Sequence, residues 1–518
     1  MTAFDYSTIL DQTASRSPER VGLLAGDVEL TYGEIRAASD AMARGLHALG
    51  VRPGDRVALC LGTQPEWVFA FFALCRLRAS AVLMPSAWRS TEIRHAFTLT
   101  GPRAVVASRE LAEFVDEIDR PEIAVVTGPG DERPGWTEMA SLLSGDFADV
   151  PEEIHAIDPT DSEVALPFSS GTTGMPKAVR HTHRSLVVAT EQWRASLDIG
   201  PQDRLQALTP LAHILGIVNI GATFIGEAAI RLFPKFSTRA MVESFQADRV
   251  TIGMAVAPIA AALADMPDLE DFDLSSLRYL NWSATPVNRD IAARVTERTG
   301  VHWAPAYGTT EVPIIAVNPV TPGAARLDSV GLPPREVEVE AIDLVSHEFL
   351  PRGETGEIVV RSPAAMAGYL PAGQPPFLPG GWYRTGDIGH VEAQGWVMLS
   401  DRVKDIIRVS GNQVSPVEIE QVLLTSPDVA DCAVFGVPDD RRGERPVAAV
   451  ILAADADPDP ELLIEWLAPR LAPYKRLREV FVVQEIPRTP SGKIQRRRLA
   501  EAFPVDDSTM TAVGEKMN

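Results

Sequence analysis

The 518-residue chain has few cysteines and no long hydrophobic run. Its three cysteines, Cys60, Cys75 and Cys432, lack the CxxC spacing of metal or redox sites and are too few for a disulfide framework. We interpret them as buried small hydrophobic residues of a protein in a reducing, cytoplasmic compartment. No apolar stretch approaches the ~18 residues that a membrane span requires, and the first residues lack the basic start of a signal peptide.

Positive charge is also scarce, with 48 lysines and arginines against 70 acidic residues and a formal net charge of -22. A surface this acidic repels nucleic acid unless a dense basic patch overrides the repulsion. The basic run Arg496-Arg497-Arg498 is interpreted as a solvated helix face, with contact to ligand phosphates as the alternative. We therefore expect no nucleic-acid partner. A chain of this length, 45% of it apolar, is expected to form at least two domains.

Short apolar runs alternate with amphipathic helical patterns over most of the chain. Thr31 and Glu34 are spaced as a capping box, which opens a helix that ends at Gly50 and has an apolar face of Ile35, Ala38, Met42 and Leu46. Residues 57–61 predict a strand, 67–77 a helix and 81–84 the next strand. This repetition predicts an α/β fold with βα units layered around mostly parallel sheets.

Two acidic stretches that contain proline and glycine, about 128–163 and 318–335, are expected to be surface connections between subdomains. The pattern changes near Asp401. Beyond it, Ser415-Pro416-Val417-Glu418 predicts a second capping box, with Val414 and Ile419 placed as its hydrophobic staple.

Strands are predicted at 432–437, 447–451 and 479–483, with a helix that begins at Asp459. Together they predict a compact α+β unit of about 100 residues. We therefore place a domain boundary at Asp401, between a domain of residues 1–400 and a smaller one of residues 402–518. The last ~12 residues are expected to be flexible.

Residues 168–177 read Phe-Ser-Ser-Gly-Thr-Thr-Gly-Met-Pro-Lys and follow a short apolar run. Glycine lets backbone N–H groups turn toward a ligand, hydroxyls add donors and lysine adds charge, so the segment predicts a polyphosphate-binding loop. It is not a Walker A loop, because two residues separate Gly174 from Lys177, and Ala178 stands where a magnesium-binding hydroxyl belongs. A Ser/Thr/Gly surface linker is the alternative.

The loop resembles the phosphate-binding signature of the adenylate-forming superfamily, which includes acyl- and aryl-CoA synthetases, adenylation domains and beetle luciferases. Five further motifs of that family follow in its order, namely Pro210-Leu211-Ala212-His213, Tyr307-Gly308-Thr309-Thr310-Glu311, Tyr383-Arg384-Thr385-Gly386-Asp387, Asp401-Arg402-Val403-Lys404-Asp405 and Pro490-Ser491-Gly492-Lys493. The resemblance reaches to about residue 500 and is strongest for acyl-CoA synthetases of the 4-coumarate and medium-to-long-chain type. It implies an N-terminal AMP-binding domain, a hinge at Asp401 and a mobile C-terminal lid that rotates between two half-reactions.

The same resemblance assigns roles in binding ATP. It implies that the nucleotide is held by Ser169, Ser170, Gly171, Thr172, Thr173, Gly174, Lys177, Ala284, Thr285, Tyr307, Gly308, Thr309, Asp387 and Arg402. Within that set, Thr172, Thr173 and Lys177 would hold the β- and γ-phosphates. Asp387 would accept the two ribose hydroxyls, a role suited to a carboxylate with two acceptor oxygens.

Catalytic roles are implied for four residues. Thr310 would contact the α-phosphate, Glu311 would help to hold Mg²⁺, and Lys493 would bridge the substrate carboxylate and the α-phosphate during adenylation. His213 would line the acyl pocket as a gate near the carboxylate and the incoming thiol, with a satisfied interior histidine as the alternative.

Ile214 and Ile217 lie beside His213, and the remaining acyl wall is implied to come from the segments 254–258, 282–285 and 304–306, which include Trp282, Ser283, Pro305 and Ala306. No acidic residue lies in these segments, and a buried ammonium would require a carboxylate partner. The pocket therefore favours an uncharged, apolar acyl group. Gly411 is implied to line the pantetheine tunnel once the lid rotates.

We predict a ligase that uses ATP, Mg²⁺ and CoA to activate an apolar carboxylic acid as acyl-AMP, releases pyrophosphate and then forms the acyl-CoA thioester. A stand-alone adenylating enzyme that loads a carrier-protein phosphopantetheine is the alternative, because its adenylation residues would be the same. A ligand-binding homologue without turnover is a third hypothesis. The acid, an acyl carrier protein as partner and a homodimer remain open at this point.

Overall fold

A computed structural model describes residues 5–130, 132–169, 176–285, 287–372, 377–403, 405–409, 412–439, 443–453, 456, 459–488 and 494–503. Its α-helices are α1 (Ser7–Arg16), α2 (Tyr32–Leu49), α3 (Pro65–Arg76), α4 (Ser90–Thr100), α5 (Arg109–Asp116), α6 (Met139–Ser144), α7 (Glu152–His155), α8 (His183–Ser196), α9 (Ile214–Ile225), α10 (Thr238–Ala247), α11 (Ala257–Asp265), α12 (Arg289–Thr299), α13 (Pro416–Leu423), α14 (Pro460–Leu467) and α15 (Arg496–Ala502). Short 3₁₀ helices cover Leu269–Asp271 and Pro473–Lys475. Over the same residues, no helix is both long and apolar enough to cross a membrane.

The strands begin with β1 (Val21–Ala25), β2 (Val28–Thr31), β3 (Arg56–Cys60), β4 (Ser80–Leu83), β5 (Ala104–Ser108), β6 (Ile123–Thr127), β7 (Thr137–Glu138), β8 (Glu163–Leu166), β9 (Phe168–Ser169), β10 (Lys177–Thr182), β11 (Arg204–Ala207), β12 (Ala229–Leu232), β13 (Ile252–Ala255), β14 (Tyr279–Trp282), β15 (Trp303–Tyr307) and β16 (Ala316–Val317). They continue with β17 (Glu338–Ile342), β18 (Gly356–Arg361), β19 (Gly368–Leu370), β20 (Phe377–Leu378), β21 (Trp382–Val391), β22 (Val397–Arg402), β23 (Ile407–Val409), β24 (Asn412–Val414), β25 (Val429–Asp439), β26 (Gly443–Leu452) and β27 (Glu479–Val482).

Contacts between Cα atoms divide the chain into two compact units. The first holds Met1–Val339, Val359–Arg384 and Ala393–Val397, and the second holds Glu340–Ile358, Thr385–Glu392 and Met398–Asn518. The chain therefore passes between the units several times. The single boundary and hinge at Asp401 stay a prediction.

Two large sheets of the first unit are built mostly from parallel strands. One has the order β16-β15-β14-β13-β11-β12-β1-β2, and the other has the order β19-β10-β8-β4-β3-β5-β6-β7, with β9 paired to β10. In the first sheet, β1 pairs in parallel with β12, so Leu23 lies opposite Ile230. The α/β prediction is confirmed.

Alternate residues along each strand point to opposite faces of its sheet, which builds separate cores in the first unit. Val57 and Leu59 of β3 pack with α1, α2, α3, α8 and α9, the helices that lie between the two large sheets. Ala58 and Cys60 of the same strand pack outward with α4 and α5. On the other sheet, Leu280 faces outward toward α10, α11 and α12.

Smaller sheets complete the fold. One has the order β17-β18-β21-β20, with β22 paired to β21. Another, in the second unit, has the order β24-β23-β26-β25, with β27 paired to β26. One face of this last sheet packs on α13 and α14, and its other face packs on α15.

Most of the local predictions are confirmed. The Thr31 hydroxyl accepts from the Glu34 N–H and the Glu34 carboxylate accepts from the Thr31 N–H, which completes the capping box of α2. Gly50 ends that helix in the left-handed conformation, at φ 106°. The predicted strands at 57–61, 81–84, 432–437, 447–451 and 479–483 and the helix after Asp459 are present with slightly different ends.

Three local predictions are wrong. Residues 128–163 are not a plain connection, because they contain β7, α6 and α7. Ser415 caps α13, but Glu418 does not complete the box, since its carboxylate accepts from Lys475 Nζ at 2.6 Å. The solvated face predicted for residues 496–498 is wrong only at Arg496, whose guanidinium is largely buried against Glu420 at 2.7 Å, whereas Arg497 and Arg498 are exposed as predicted.

Candidate active site

The predicted phosphate loop has both of its ends fixed by strand pairing. Ser169 ends β9 and Lys177 begins β10, and these two residues are opposite each other in an antiparallel pair. Residues 170–175, which hold the predicted ligands Ser170, Gly171, Thr172, Thr173 and Gly174, lie outside the described residues. The described residues therefore place the two ends of the predicted loop next to each other.

Lys177 faces an aromatic side chain of the neighbouring strand. Its Nζ atom lies 5.5 Å from the centroid of the Tyr369 ring. Strand β19 pairs with β10, so Tyr369 is opposite Val179. A cation above an aromatic face is held there by the quadrupole of the ring.

Tyr307 ends β15, and the residues from Gly308 to Glu311 form the first half of the turn, 308–315, that connects it to the antiparallel strand β16. Gly308 is required in this turn, because a Cβ atom there would lie 1.9 Å from the Pro313 carbonyl oxygen. Thr309 closes the turn through its N–H, which donates to Val312 O at 2.9 Å, and its hydroxyl, which accepts from Val312 N. The turn brings Thr310 and Glu311 to the end of β15.

The Glu311 carboxylate is buried, with 8% of the residue exposed. Its Oε1 atom accepts from the Tyr369 hydroxyl at 2.9 Å. Within the described ranges, no lysine, arginine or histidine forms an ion pair with it, and no group of three metal-ligating side chains occurs. Because a buried carboxylate without a cationic partner is costly, this position favours a bound cation. Mg²⁺ fits, since it needs only one or two protein carboxylates beside substrate phosphates.

Thr310 is tied to the same sheet by a buried histidine. His181 of β10 approaches the Thr310 carbonyl oxygen through Nε2 at 2.8 Å. A carbonyl can only accept, so Nε2 carries the proton. Burial lowers the pKa of His181 to about 4, so the ring is neutral at pH 7.

The predicted acyl wall lies at the carboxyl ends of three parallel strands. Ala255 of β13 is opposite Trp282 of β14, which is opposite Pro305 of β15. Residues 252–258, 279–285 and 303–307 contain no charged side chain. Ala306 packs partly buried against the inner core, the one that contains α9.

His213 is the N-cap residue of α9, and its Nδ1 atom accepts from the Leu215 N–H at 3.3 Å. Ile214 and Ile217 follow in the first turns of this helix and are buried in the inner core. Gly216 allows the close approach of helix and loop, because a Cβ atom there would lie 2.4 Å from Pro210 O. The helix thus fixes the backbone of the predicted gate.

The segment after β14 has an unusual backbone. Ala284 has φ 66°, a left-handed conformation that costs energy for a residue with a Cβ atom. Thr285 anchors the segment, since its hydroxyl accepts from Trp282 Nε1 and from Ala257 N. The Trp282 ring itself packs against Trp303 in the outer core, while Ser283 is buried at the strand end.

The second unit contains a compact ion pair. Arg402 Nε donates to Asp387 Oδ1 at 2.8 Å, and Asp387 is buried with 8% exposed. Gly386 precedes it at φ 72°, and its carbonyl accepts from Val403 N. Asp387, the predicted ribose ligand, and Arg402, another predicted ATP ligand, therefore lie in direct contact.

Asp401 lies inside β22, and its carboxylate has several partners in the second unit. Oδ2 accepts from Ser415 Oγ at 2.5 Å and from Val417 N at 3.3 Å, and Oδ1 accepts from Arg402 N. Burial raises the pKa of Asp401 above its ordinary value. The side chain is thus part of the N-terminal cap of α13. Gly411, Lys404 and Lys493 lie outside the described residues.

Sequence reasoning missed Tyr369 and His181. The alternation of β10 places Lys177, Val179 and His181 on one face, and that period could have pointed to His181. For Tyr369 the sequence offers only Gly368-Tyr369-Leu370, a short apolar segment with no signal of its contacts.

Family comparisons agree with this geometry. A family model described as AMP-binding enzyme matches residues 10–370, and one described as AMP-binding enzyme C-terminal domain matches residues 418–493. The two matches support a large N-terminal and a small C-terminal domain, as predicted.

The chain is similar in sequence to CoA ligases and in fold to solved structures of such enzymes. A 4-coumarate–CoA ligase 2 of Oryza sativa subsp. japonica is 34% identical over 94% of this chain and 90% of its own length. A 4-coumarate–CoA ligase 2 of Nicotiana tabacum is 32% identical over 90% of this chain and 88% of its own length. A crystal structure of the anthranilate CoA ligase AuaEII in complex with anthranoyl-AMP has a TM-score of 0.87 at 27% identity, with 96% of this chain and 97% of that chain covered. The structure of the o-succinylbenzoate CoA synthetase MenE from Bacillus subtilis, in complex with the acyl-adenylate OSB-AMP, has a TM-score of 0.83 at 27% identity. The match covers 96% of this chain and 99% of that chain.

Proposed function

The chain belongs to the AMP-binding enzyme family, and from that premise we propose that it activates an aromatic carboxylic acid with ATP and transfers the acyl group to CoA. The observation that carries the proposal is the buried Glu311 carboxylate, which has no cationic partner among the described residues and lies beside Tyr369, whose ring faces Lys177. Such a pair of opposite charges suits a phosphate chain with its metal ion.

The first half-reaction makes the acid reactive. A carboxylate oxygen attacks the α-phosphorus of ATP, the bond to the bridging oxygen breaks, and pyrophosphate leaves as the acyl-AMP forms. Lys177 binds the β- and γ-phosphates, together with Thr172 and Thr173. Thr310 donates to the α-phosphate from the turn that His181 holds. Lys493 bridges the attacking carboxylate and the α-phosphate.

Mg²⁺ would be held by Glu311 and by phosphate oxygens. When bound, it neutralises the charge that accumulates on the phosphates in the transition state. The protein's part is to orient the Glu311 carboxylate, which the Tyr369 hydroxyl does as a neutral donor.

The nucleoside is recognised in the second unit. Asp387 accepts the ribose hydroxyls, and Arg402 orients that carboxylate through its Nε–H. We propose that residues 402–518 form a lid that pivots at Asp401 and exchanges Lys493 for Gly411 at the adenylate.

In the second half-reaction the CoA thiolate attacks the acyl carbonyl carbon, the acyl–phosphate bond breaks, and AMP leaves. His213 lines the path of the thiol as a gate, and Gly411 leaves room for the pantetheine arm. An amide bond synthetase, McbA from Marinactinospora thermotolerans, has the same fold at 29% identity with a TM-score of 0.85. The acceptor therefore has to be tested directly.

The acid is proposed to be neutral and aromatic apart from its carboxylate. The uncharged strand ends of β13, β14 and β15 support this, because a charged side group would be buried there without a partner. The names of the relatives, which refer to 4-coumarate and anthranilate, point to the same class of acid.

The test is a panel of acids with ATP and Mg²⁺, in which AMP, pyrophosphate and acyl-CoA are each measured with and without CoA. Cinnamic- and benzoic-type acids should give acyl-CoA, and malonate, with its second charge, should not. A phosphopantetheinylated carrier protein replaces CoA in a parallel arm, and Glu311→Gln serves as the inactive control. Release of ADP, or no acid-dependent AMP from any member of the panel, would overturn the proposal.

A further inference from the structure

Tyr369 contacts both charged side chains of the proposed phosphate site. Its hydroxyl donates to Glu311 Oε1 at 2.9 Å. The face of its ring lies 5.5 Å from Lys177 Nζ. One side chain thus joins the anionic and the cationic group that are proposed to act on the same phosphate chain.

The position of Tyr369 is fixed by the backbone. Strand β19 pairs with β10, which places Tyr369 opposite Val179, two residues after Lys177. Just before β19, the Met366 N–H donates to the Glu311 carbonyl oxygen at 2.8 Å. The segment 366–370 therefore holds the backbone of Glu311 and the residues of β10 that directly follow Lys177 through main-chain bonds, in addition to the contacts of the tyrosine.

The direction of the hydrogen bonds follows from the chemistry of the groups. An ionised carboxylate can only accept, so the single proton of the Tyr369 hydroxyl goes to Glu311. The Tyr383 hydroxyl, 3.4 Å from that of Tyr369, then donates to the Tyr369 oxygen. Both phenols keep their protons at neutral pH, as an ordinary tyrosine does. A neutral donor orients the carboxylate without cancelling its charge.

We infer that Tyr369 is a positioning residue of adenylation, which orients the Glu311 carboxylate toward the metal ion of Mg·ATP and supports the Lys177 ammonium on its ring. The inference rests on the proposed function, because it assumes that Glu311 holds the metal. Tyr383 acts one step further out, through the Tyr369 hydroxyl.

The first experiment measures binding and needs no turnover. Calorimetric titration gives the Kd of ATP with Mg²⁺ and, separately, with EDTA, for the full chain and for Tyr369→Phe. Loss of a hydrogen bond to a charged group should weaken Mg·ATP binding by about tenfold to 100-fold. Binding of metal-free ATP should change by less than about twofold, since the ring under Lys177 remains. Tyr474→Phe, which alters a tyrosine outside this cluster, is the matched control.

Two further variants separate positioning from packing. Tyr369→Leu, which also removes the ring, should weaken ATP binding with and without Mg²⁺. Tyr383→Phe removes only the outer donor, so it should weaken Mg·ATP binding less than Tyr369→Phe does. Thermal unfolding should show that each variant is folded. If Tyr369→Leu is not folded, the comparison uses Tyr369→Phe and Tyr383→Phe alone.

A double-mutant cycle gives the decisive result. If Tyr369 acts through Glu311, then Tyr369→Phe should have no further effect on the Kd of Mg·ATP in a Glu311→Gln background, which is measured by the same calorimetric titration. Independent, additive losses would overturn the inference, as would an unchanged dependence on Mg²⁺ in Tyr369→Phe. If no acid supports turnover while the binding data behave as expected, the proposed function fails, and the role of Tyr369 is limited to the binding of Mg·ATP.

Discussion

Asp401 and Ser415, 14 residues apart, share a hydrogen bond in which Ser415 Oγ donates to Asp401 Oδ2 at 2.5 Å. The same oxygen accepts from Val417 N, in the first turn of α13. Ser415 in turn accepts from Glu418 N as the N-cap of that helix. The proposed hinge residue is therefore bound by its side chain to the first helix of the proposed lid.

Asp401→Ala should destabilise the protein by about 1–3 kcal/mol, because it leaves the partly buried Ser415 hydroxyl and the Val417 N–H without their acceptor. Urea unfolding followed by circular dichroism measures the loss. Asp27→Ala, at an exposed aspartate, is the control and should change stability by less than about 0.5 kcal/mol. An equally small effect for Asp401→Ala would show that the carboxylate is dispensable.

Asp387 gives a prediction about the nucleotide itself. If its carboxylate accepts the ribose hydroxyls, the enzyme should discriminate against 2′-deoxy-ATP and 3′-deoxy-ATP by about 100-fold or more in kcat/KM. Asp387→Ala should lose activity with ATP and most of this discrimination together. Competition assays of the three nucleotides test the point, and discrimination that survives in the variant would place ribose recognition elsewhere.

Gly308 gives a prediction about backbone space. Gly308→Ala would bring a Cβ atom to 1.9 Å from the Pro313 carbonyl oxygen, so the turn that carries Thr310 and Glu311 must move. We expect adenylation to fall by about 10²-fold or more, since small displacements of positioned groups are costly. Gly200→Ala, where an added Cβ meets nothing within 4 Å, should behave like the unmodified protein in pyrophosphate exchange.

His181 predicts an acid-sensitive step in stability. Burial lowers its pKa to about 4, below the ~6.5 of an exposed histidine, so the folded state holds fewer protons than the unfolded state. Its contribution is complete above pH ~6.5 and is lost as the pH falls toward 4, by about 1.4 kcal/mol per pH unit.

The matched variant is His181→Gln, which can still donate to the Thr310 carbonyl but does not titrate. Its free energy of unfolding should fall less steeply than that of the unmodified protein between pH 6.5 and 4.5. His183, whose pKa is also lowered to about 4, is present in both proteins and cancels in the comparison. Parallel pH curves would assign the acid sensitivity to other groups.

The sequence predicts those features whose partners lie close together along the chain. Thr31 and Glu34 are three residues apart, and their capping box is present. At Ser415 the same pattern fails in part, because Lys475 binds the Glu418 carboxylate from 57 residues away. Arg496 is buried for a similar reason, since Glu420 on α13 supplies its partner.

The candidate site divides in the same way. Motif order identifies Glu311 and Lys177, and the pairing of β9 with β10 places Lys177 opposite Ser169. The contact of Tyr369 with Lys177 could not be foreseen, because it arises from the pairing of β19 with β10. That pairing joins Val179 to Tyr369, which is 190 residues further along the chain.

The pairing of β1 with β12 also sets an order of events during synthesis. Leu23 cannot meet Ile230 until the ribosome has delivered the intervening chain. At about 5–20 residues per second, β1 waits some tens of seconds for its neighbour. Over that interval its apolar edge and the Tyr6 side chain, whose hydroxyl finally donates to Ile217 O, stay exposed. We therefore expect nascent chains that stop before α9 to aggregate or to bind chaperones, whereas chains that extend past β12 should resist proteolysis.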